Sequence, residues 1–372
     1  MKIAIVGGGV IGLSLAWELS SRGHQLTLVD QGPFGRKASW AGAGILLPGN
    51  QATSIHPLEH LEATSNDLHQ SWAKRLLQQT GVDNGYRKCG GLYVATTAGE
   101  VATLAGSLGF WEERKIAAEN LTREELQKRF PSLAHLTTGK TFLAAWMPDE
   151  AQICNPWHLN ALVKACQKNG VELLPESSVS EFDVTAGRLV SCHVEQTRSD
   201  FDTFVFCCGA WTEQITSGMT ECIQMVPVRG QMILYRLDRP LELPIVNEGT
   251  RYVVPRDDGY VLVGATIEEA GFDESTTASS IETLSADAQR LVPQLSLERI
   301  EKTWAGLRPG THDGFPYMGR LPGLENAFVS TGHFKTGLQL STGSAVAMAD
   351  LIEGKKPLVD LTPFDPSRVL IS

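Results

Sequence analysis

The first thirty residues carry the pattern that most restricts the fold of this chain. A β-branched run, Lys2–Val6, leads into a turn with the spacing GxGxxG at positions 7–12. Apolar residues then recur at helical spacing from Val10 to Ser21, and a second apolar run follows at Leu26–Val29. Strand, glycine turn, helix and strand in this order predict a βαβ unit with parallel strands.

The glycines of this turn and the acid that follows them indicate what the unit binds. Among Gly7, Gly9 and Gly12, one glycine permits the tight turn, one lets the backbone approach a pyrophosphate, and one lets the helix pack on the strand. Asp30 ends the second strand, where a carboxylate accepts the ribose hydroxyls. A flexible, apolar N-terminus would explain the glycines alone, but the strand, helix and acid favour a dinucleotide. Asp30 by itself does not discriminate NAD from FAD.

Composition argues against several other functions. The 372 residues, 42% of them hydrophobic, suffice for a large core divided between two domains. A net charge of -10 argues against nucleic-acid binding, and the uncharged stretch Ile3–Trp17 is shorter than the ~20 residues of a membrane span. Seven cysteines without a CxxC pair fit reduced thiols in the cytoplasm and predict neither disulfides nor a metal site.

Hydrophobic periodicity and turn residues place further elements along the chain. Helices are predicted over 57–79 and 122–129, from Asn155 as N-cap, and over 337–352. Strands are predicted within 171–209, within 225–265 and over 327–331. Thr122 and Glu125 have the spacing of a capping box, and Asp257-Asp258-Gly259 is typical of a hairpin turn. Because no linker or repeat separates the two domains, we expect them to interleave.

The segment Ala38–Ile45 contains residues small enough for backbone amides to lie against a flat ring or a phosphate. Together with the glycine turn, it resembles the D-amino acid oxidase superfamily of FAD-dependent amine oxidases, and in particular its glycine oxidase branch. Later segments extend the resemblance over nearly the whole chain: Gly249–Arg256 with Val263–Thr266, Trp304–Thr311 with Asp313–Pro316, and Gly332–Gly337.

This resemblance implies an α/β fold with an α+β second domain. A Rossmann-like FAD-binding domain would interleave with a substrate domain built on a mixed, largely antiparallel sheet. The FAD-binding domain is expected at 1–85, 145–220 and 300–372, and the substrate-binding domain at 86–144 and 221–299. FAD is expected to bind non-covalently, because relatives with covalent flavin use a late cysteine and none follows Cys222.

The resemblance also implies which residues contact FAD. Trp40 and Trp211 are expected to pack around the cofactor, and His333 is not assigned acid or base work. The implied FAD contacts are Gly7, Gly9, Val10, Ile11, Gly12, Asp30, Gln31, Ala38, Ser39, Gly42, Ala43, Gly44, Ile45, Val179, Cys208, Gly209, Trp211, Gly306, Gly332, His333, Phe334, Lys335, Thr336, Gly337 and Leu338.

The implied substrate contacts lie later in the chain. Arg308 would bind the substrate carboxylate with help from Tyr252, and both would be catalytic by positioning the substrate. Lys335 and Ile267 stand where many glycine oxidases carry arginine and methionine, so they are expected to contact the substrate and alter its selection. From the residues alone, Arg308 could instead pair with Asp313, and Tyr252 could be a core tyrosine.

The implied reaction is oxidative deamination of glycine or another small amine or amino acid, such as sarcosine or a small D-amino acid. Oxygen would accept the electrons, hydrogen peroxide would form, and the imine could feed thiazole synthesis for thiamine. A homo-oligomer in the cytoplasm is expected. Two alternatives stay open: a dehydrogenase that passes electrons to a quinone or carrier, and a protein that binds FAD without catalysis.

Overall fold

The computed structural model describes residues 1–371, which form twenty strands and nine α-helices. The strands are β1 (Lys2–Val6), β2 (Gln25–Val29), β3 (Ile45–Leu46), β4 (Arg87–Lys88), β5 (Gly91–Ala95), β6 (Glu119–Leu121), β7 (Leu143–Met147), β8 (Ala151–Gln152), β9 (Glu172–Leu174), β10 (Val179–Thr185), β11 (Arg188–Val194), β12 (Thr197–Asp200), β13 (Thr203–Phe206), β14 (Val226–Arg236), β15 (Ile245–Glu248), β16 (Arg251–Pro255), β17 (Tyr260–Gly264), β18 (Ile300–Gly310), β19 (Tyr317–Arg320) and β20 (Ala327–Thr331). The helices are α1 (Val10–Ser21), α2 (Ala38–Ala41), α3 (Pro57–Thr80), α4 (Ala98–Glu113), α5 (Arg123–Arg129), α6 (Asn155–Lys168), α7 (Thr212–Thr216), α8 (Ala278–Leu291) and α9 (Gly337–Ile352).

Six strands form the first sheet, in the order β19-β20-β13-β1-β2-β9. All neighbours are parallel except β19, which pairs antiparallel with β20 at the edge. Helices α1, α3, α6 and α9 cover one face, where Trp17 meets Trp72 edge to face with ring centroids 4.7 Å apart. The antiparallel strands β10, β11 and β12 cover the other face and pack on Phe204 and Phe206. The predicted βαβ unit is confirmed, and its strands are apolar because both faces are buried.

Eight strands form the second sheet, in the order β18-β14-β17-β16-β15-β5-β7-β6. Its neighbours are antiparallel except β15 and β5, which pair parallel. One face packs against α5 and α8 through a cluster that includes Leu92, Val253 and Val263. The opposite face, called the cavity face below, carries a row of residues in register across six strands: Trp304, Met232, Gly264, Tyr252, Asn247 and Tyr93.

The two sheets suggest where the domains divide. Strand β18 pairs with β14 of the second sheet from Ile300 to Gly310. The family resemblance assigns residues 300–372 to the FAD-binding domain. We propose that the division follows the sheets, so that the chain returns to the first domain after Gly310.

Several local predictions are confirmed at single residues. Helix α9 has the predicted bounds, and Thr122 and Glu125 make both hydrogen bonds of a capping box at α5. Strands β16 and β17 pair as a hairpin around the predicted turn. No helix in residues 1–371 combines the length and hydropathy that a membrane crossing requires.

The predicted start of α6 is wrong by one residue. The N-cap is Cys154, and Asn155 already lies inside the helix. The Asn155 side chain does not cap, because its Nδ2 donates to the Ser39 carbonyl oxygen at 2.8 Å. A tertiary contact thus overrides the local capping preference of asparagine.

Candidate active site

A cavity of about 610 Å³ lies between the first sheet and the cavity face of the second sheet. The glycine turn, the segment 38–45 and the start of α9 complete its walls. The predicted site residues line it except Gly12, Gly332 and Trp40, and the Trp40 ring packs instead on Trp304, with ring centroids 5.1 Å apart. These two glycines permit close packing instead, since a Cβ at Gly12 would collide with the Gly7 carbonyl and one at Gly332 with Thr311.

The glycine turn brings backbone amides to one end of the cavity. Gly7 has a φ of +105°, which favours glycine, and a Cβ there would collide with the carbonyl group of Cys207 after β13. The Gly7 N–H donates to the Val29 carbonyl at 2.8 Å, so the turn is fixed to the end of β2. The first-turn amides of α1 have no acceptor within the helix and are suited to phosphate oxygens.

Asp30 lies at the same end of the cavity as the glycine turn. Its Oδ2 accepts from the Gly8 N–H at 2.6 Å, and its Oδ1 accepts from the Gly32 N–H at 2.8 Å. Burial raises the pKa of Asp30 against the opposing effect of these two amides. Each carboxylate oxygen keeps a further lone pair, so the group can accept from ribose hydroxyls as predicted.

The segment 38–45 forms a wall of small residues. The Ser39 Oγ accepts from the Val10 N–H at 2.9 Å, which ties this wall to the start of α1. Gly44 has a φ of +76°, and a Cβ there would collide with the Ile153 carbonyl. A Cβ at Gly306 would collide with Ala41, so β18 approaches the segment closely. These contacts leave a wall of small residues toward the cavity.

The start of α9 closes another side of the cavity. Residues 333–338 line it, and the N-terminus of this sixteen-residue helix faces the cavity. His333 is buried, with Nε2 3.1 Å from the Ser344 Oγ, and burial lowers its pKa to about 3. The ring is therefore neutral near neutral pH and does not donate a proton to a substrate, in line with its omission from acid or base work.

Two adjacent thiols, Cys207 and Cys208, also line the cavity. Burial raises the pKa of Cys207 to about 12 and also raises the pKa of Cys208. All seven cysteines are unpaired. Protonated thiols are poor nucleophiles, so these two residues serve as small apolar packing groups.

These walls suit FAD. Amides of a glycine turn are available to a pyrophosphate, a carboxylate is available to a ribose, and a wall of small residues is available to a planar ring system. The Cβ collisions at Gly7 and Gly44 show that larger residues would disrupt this cradle. FAD would therefore be held by the first sheet's turns and α9, with the second sheet facing its ring.

Arg308 lies on the side of the cavity where the substrate is expected to bind. Its guanidinium lies over Gly230, where a Cβ would collide with it, and its Nη1 donates to the Thr266 carbonyl at 3.0 Å. None of the ion pairs among residues 1–371 involves Arg308, and Asp313 pairs with Arg368 instead. The alternative pairing of Arg308 with Asp313 is therefore wrong. A positive charge without an acidic partner faces the cavity.

Tyr252 is the neighbour of Arg308 on the cavity face. Its hydroxyl lies 3.2 Å from the Met232 Sδ and beside the Arg308 guanidinium. Burial raises the pKa of Tyr252, although the Arg308 guanidinium opposes this shift. The phenol therefore keeps its proton and can donate to a carboxylate on Arg308.

The two remaining predicted substrate contacts lie at the rim. Lys335 is exposed, and partial burial together with the charge of Arg308 lowers its pKa. Ile267 is 49% exposed. Trp211 packs on Phe272 beside them, with ring centroids 5.7 Å apart. The rim thus combines one cation with several apolar groups.

Sequence reasoning missed several cavity residues on the second sheet. Gly230 makes room for Arg308, and Met232 contacts Tyr252. Tyr93 and Asn247 line the cavity as well. No pattern within a single strand identifies these residues, because only the strand order shows which side chains share the cavity face.

The sequence profile of the family described as FAD dependent oxidoreductase matches residues 2–351 of this chain. The chain belongs to this family of FAD-dependent oxidoreductases. Over 370 residues the oxidoreductase is 32% identical to a glycine oxidase from Pseudomonas aeruginosa, with 98% of each chain covered. It is also 31% identical to the bifunctional protein ThiO/ThiG from Synechocystis sp., covering 99% of this chain and 54% of that protein.

The same relationship holds in three dimensions. The crystal structure of glycine oxidase from Geobacillus kaustophilus matches this FAD-dependent oxidoreductase with a TM-score of 0.90 and 30% identity, covering 99% of both chains. The family resemblance and the fold class inferred from the sequence are confirmed. FAD is the cofactor of this enzyme.

Proposed function

We propose that this oxidoreductase oxidises glycine, or another small amino acid or amine, at the carbon that bears the amino group. The observation that carries the proposal is the Arg308 guanidinium, which faces the FAD cavity without an acidic partner among the described residues. A planar guanidinium binds a carboxylate through two parallel hydrogen bonds. Tyr252 supplies a third donor beside it.

This clamp makes positioning the main contribution of the protein to catalysis. A carboxylate held at two points cannot rotate freely, so the α-carbon of the bound substrate keeps one orientation toward the flavin ring. The cavity lies between two sheets, which removes the substrate from bulk water and strengthens these charge interactions.

The chemistry needs no side-chain base within this cavity. When bound, FAD would supply the acceptor for the hydride of the α-carbon, and its reoxidation by oxygen would form hydrogen peroxide. The amine must be neutral at that moment. His333 plays no part, because its lowered pKa of about 3 makes the ring a weak base and its Nε2 is directed to Ser344. The imine then hydrolyses to a 2-oxo acid, glyoxylate from glycine, and ammonia, or enters thiazole synthesis for thiamine.

The residues at the rim favour a small substrate, and they favour a range of substrates that is not restricted to glycine. Lys335 keeps a positive charge where arginine is common, but it lacks the planar fork that binds carboxylates. Ile267 offers an apolar contact at the rim. Sarcosine and small D-amino acids are therefore included in the proposal.

The test is anaerobic reduction of the FAD-loaded enzyme by glycine, sarcosine and D-alanine, measured as the loss of flavin absorbance. We expect reduction by at least one of them, and we expect Arg308→Met to raise the required substrate concentration by about a hundredfold or more, the loss of a bidentate ion pair. Arg188→Met, at a surface arginine that pairs with Glu325, is the matched control. An enzyme that no amine reduces would contradict the proposal and indicate a protein that binds FAD without catalysis.

The electron acceptor is decided by the same preparation. Reoxidation of the reduced enzyme by oxygen, with peroxide formed in proportion, is the expected result. Fast reoxidation by a quinone with slow reaction toward oxygen would instead identify a dehydrogenase. A homo-oligomer, a cytoplasmic location and FAD that acid releases from the protein complete the proposal.

A further inference from the structure

A buried carboxylate, that of Glu150, lies on the cavity face of the second sheet but does not line the cavity itself. The residue is fully buried, and its carboxylate occupies the space over Gly91, where a Cβ would collide with it. The Tyr93 hydroxyl donates to its Oε2 at 2.6 Å, and the Asn247 Nδ2 lies 3.2 Å from its Oε1. No ion pair in residues 1–371 involves Glu150, so these two neutral groups are its partners.

Both partners of Glu150 line the cavity. Asn247 pairs with Tyr93 on one neighbouring strand and with Tyr252 on the other. Adjacent strands are about 4.8 Å apart, so Asn247 lies one spacing and Tyr93 roughly two spacings from Tyr252. The two residues therefore continue the row that begins at the carboxylate clamp.

The buried charge fixes which atoms these two residues turn to the cavity. An ionised carboxylate only accepts hydrogen bonds, so it takes the O–H of Tyr93 and one N–H of Asn247. Burial and the Glu150 charge raise the pKa of Tyr93, so its proton is retained for this bond. The acceptors that remain are the Asn247 Oδ1 and the Tyr93 Oη lone pairs, beside the second N–H of Asn247. The cavity thus has donors at Arg308 and acceptors at Asn247 and Tyr93.

We propose that Asn247 and Tyr93 form the subsite that binds the amino group of the substrate, and that Glu150 is the positioning residue that holds them as acceptors. The proposal rests on the proposed function, since it assumes an amino acid held by Arg308. The amino group of such a substrate lies next to its carboxylate and is within the reach of the neighbouring strand. Tyr93, one strand farther, accepts from a second N–H or from a donor on a larger substrate.

The test compares two ligands that share the carboxylate and differ in the amino group. Glycine KM and the inhibition constant of acetate are measured on the FAD-loaded enzyme, well above the Glu150 pKa of about 7. In Glu150→Gln, the new amide group presents an N–H to either Tyr93 or Asn247. The residue that accepts this hydrogen bond must then turn a donor of its own toward the cavity. We expect glycine KM to rise about tenfold or more, the loss of one charge-assisted hydrogen bond. The kcat and the inhibition constant of acetate should stay within about twofold of the wild-type values, because a lost hydrogen bond would change them by more than this.

Two further variants keep the test independent of how one substitution folds. Asn247→Leu and Tyr93→Phe remove the acceptors directly, and the Tyr93 ring can keep its contact with Trp111, whose centroid is 5.0 Å away. Both should raise glycine KM and spare acetate. Glu301→Gln, at an exposed glutamate of β18, is the matched control.

Two results would overturn the proposal. One is a glycine KM unchanged in Glu150→Gln and Asn247→Leu, and the other is an equal loss of glycine and acetate binding, which would indicate general distortion. Failure of the proposed function is distinct, because the wild-type enzyme would then not be reduced by any amine, whereas acetate binding would still be measurable from the flavin spectrum.

Discussion

Two charged side chains on the cavity face of the second sheet each lie over a glycine, but they differ in their exposure to the cavity. Arg308 lies over Gly230 and Glu150 lies over Gly91, and neither has an ion-pair partner among the residues the structure describes. The guanidinium opens directly to the cavity, whereas Tyr93 and Asn247 separate the carboxylate from it. An uncovered charge binds an opposite charge. A covered one can act only by orienting the dipoles in front of it.

The glycines of this enzyme differ in what lies above them, and this difference ranks the expected effects. A Cβ at Gly7 would meet the carbonyl group of Cys207, which is backbone and cannot move aside. At Gly230 and Gly91 the obstacle is the end of a side chain. We therefore expect substitutions at Gly7 to damage FAD binding and those at the other two glycines to alter substrate binding.

The largest effect is expected for Gly7→Ala. The positive φ and the backbone collision should weaken FAD binding by about a hundredfold or more, as several kcal/mol of strain implies. Titration of the apoprotein with FAD measures this. Gly99→Ala, where a Cβ has open space, should bind FAD normally. A Gly7→Ala protein with wild-type affinity would show that the turn does not hold the pyrophosphate.

The next largest effect distinguishes substitution at Gly230 from substitution at Gly91. Gly230→Ala should displace Arg308 and raise both glycine KM and the acetate inhibition constant by about tenfold to a hundredfold, since a charged hydrogen-bond pair is lost. Gly91→Ala should displace Glu150 and raise glycine KM alone. Steady-state kinetics with acetate as inhibitor measure both. Identical profiles in the two variants would remove the distinction between the two charges.

The pH dependence of stability tests the comparison between Arg308 and Glu150, because the Glu150 carboxyl group titrates near pH 7. Burial raises its pKa to about 7 from an ordinary value near 4.5, so its contribution to stability is present below about 4.5 and is lost as the pH rises through 7. Glu150→Gln lacks this loss and should gain about 3 kcal/mol in the free energy of unfolding relative to wild type between these limits. Urea unfolding at several pH values measures the difference.

Buried histidines supply the internal control for that experiment. Burial lowers the pKa of His69 to about 4 and the pKa of His158 and His333 to about 3. Their contribution to stability is present above about 6.5 and is lost as the pH falls toward these values. This acid loss should be equal in the wild type and in Glu150→Gln. A constant difference between the two proteins across the pH range would show that Glu150 is not the titrating group.

The smallest effect is expected at the rim. Lys335 is exposed, and solvent screens its charge, so Lys335→Met should change glycine KM by no more than about threefold. The same kinetic assay measures it. A loss comparable to that of Gly230→Ala would place the substrate carboxylate at Lys335 and not at Arg308.

Local signals in the sequence were sufficient for the βαβ unit of the first sheet and for one half of the predicted site. The glycine turn, its strand and its helix lie within thirty residues, and the capping box at Thr122 and the bounds of α9 also depend on neighbours in sequence. Arg308 and Tyr252 were identified through motifs that resemble a known family. These features require no knowledge of strand order.

The other half of the site depends on contacts between distant segments. Asn247 and Tyr93 become neighbours only because β15 pairs with β5, about 150 positions earlier in the chain. Glu150 reaches them because Gly91 leaves space over the sheet. The Asn155 side chain likewise leaves its expected cap to contact Ser39. No periodicity in one segment contains this information.

The most direct test of the account is a crystal structure of the FAD-loaded enzyme with bound acetate. We predict that the acetate carboxylate lies within hydrogen-bond distance of the Arg308 guanidinium and the Tyr252 hydroxyl, with its methyl group toward Asn247. Acetate bound at Lys335, with Arg308 still engaged only by the Thr266 and Arg229 carbonyls, would contradict it.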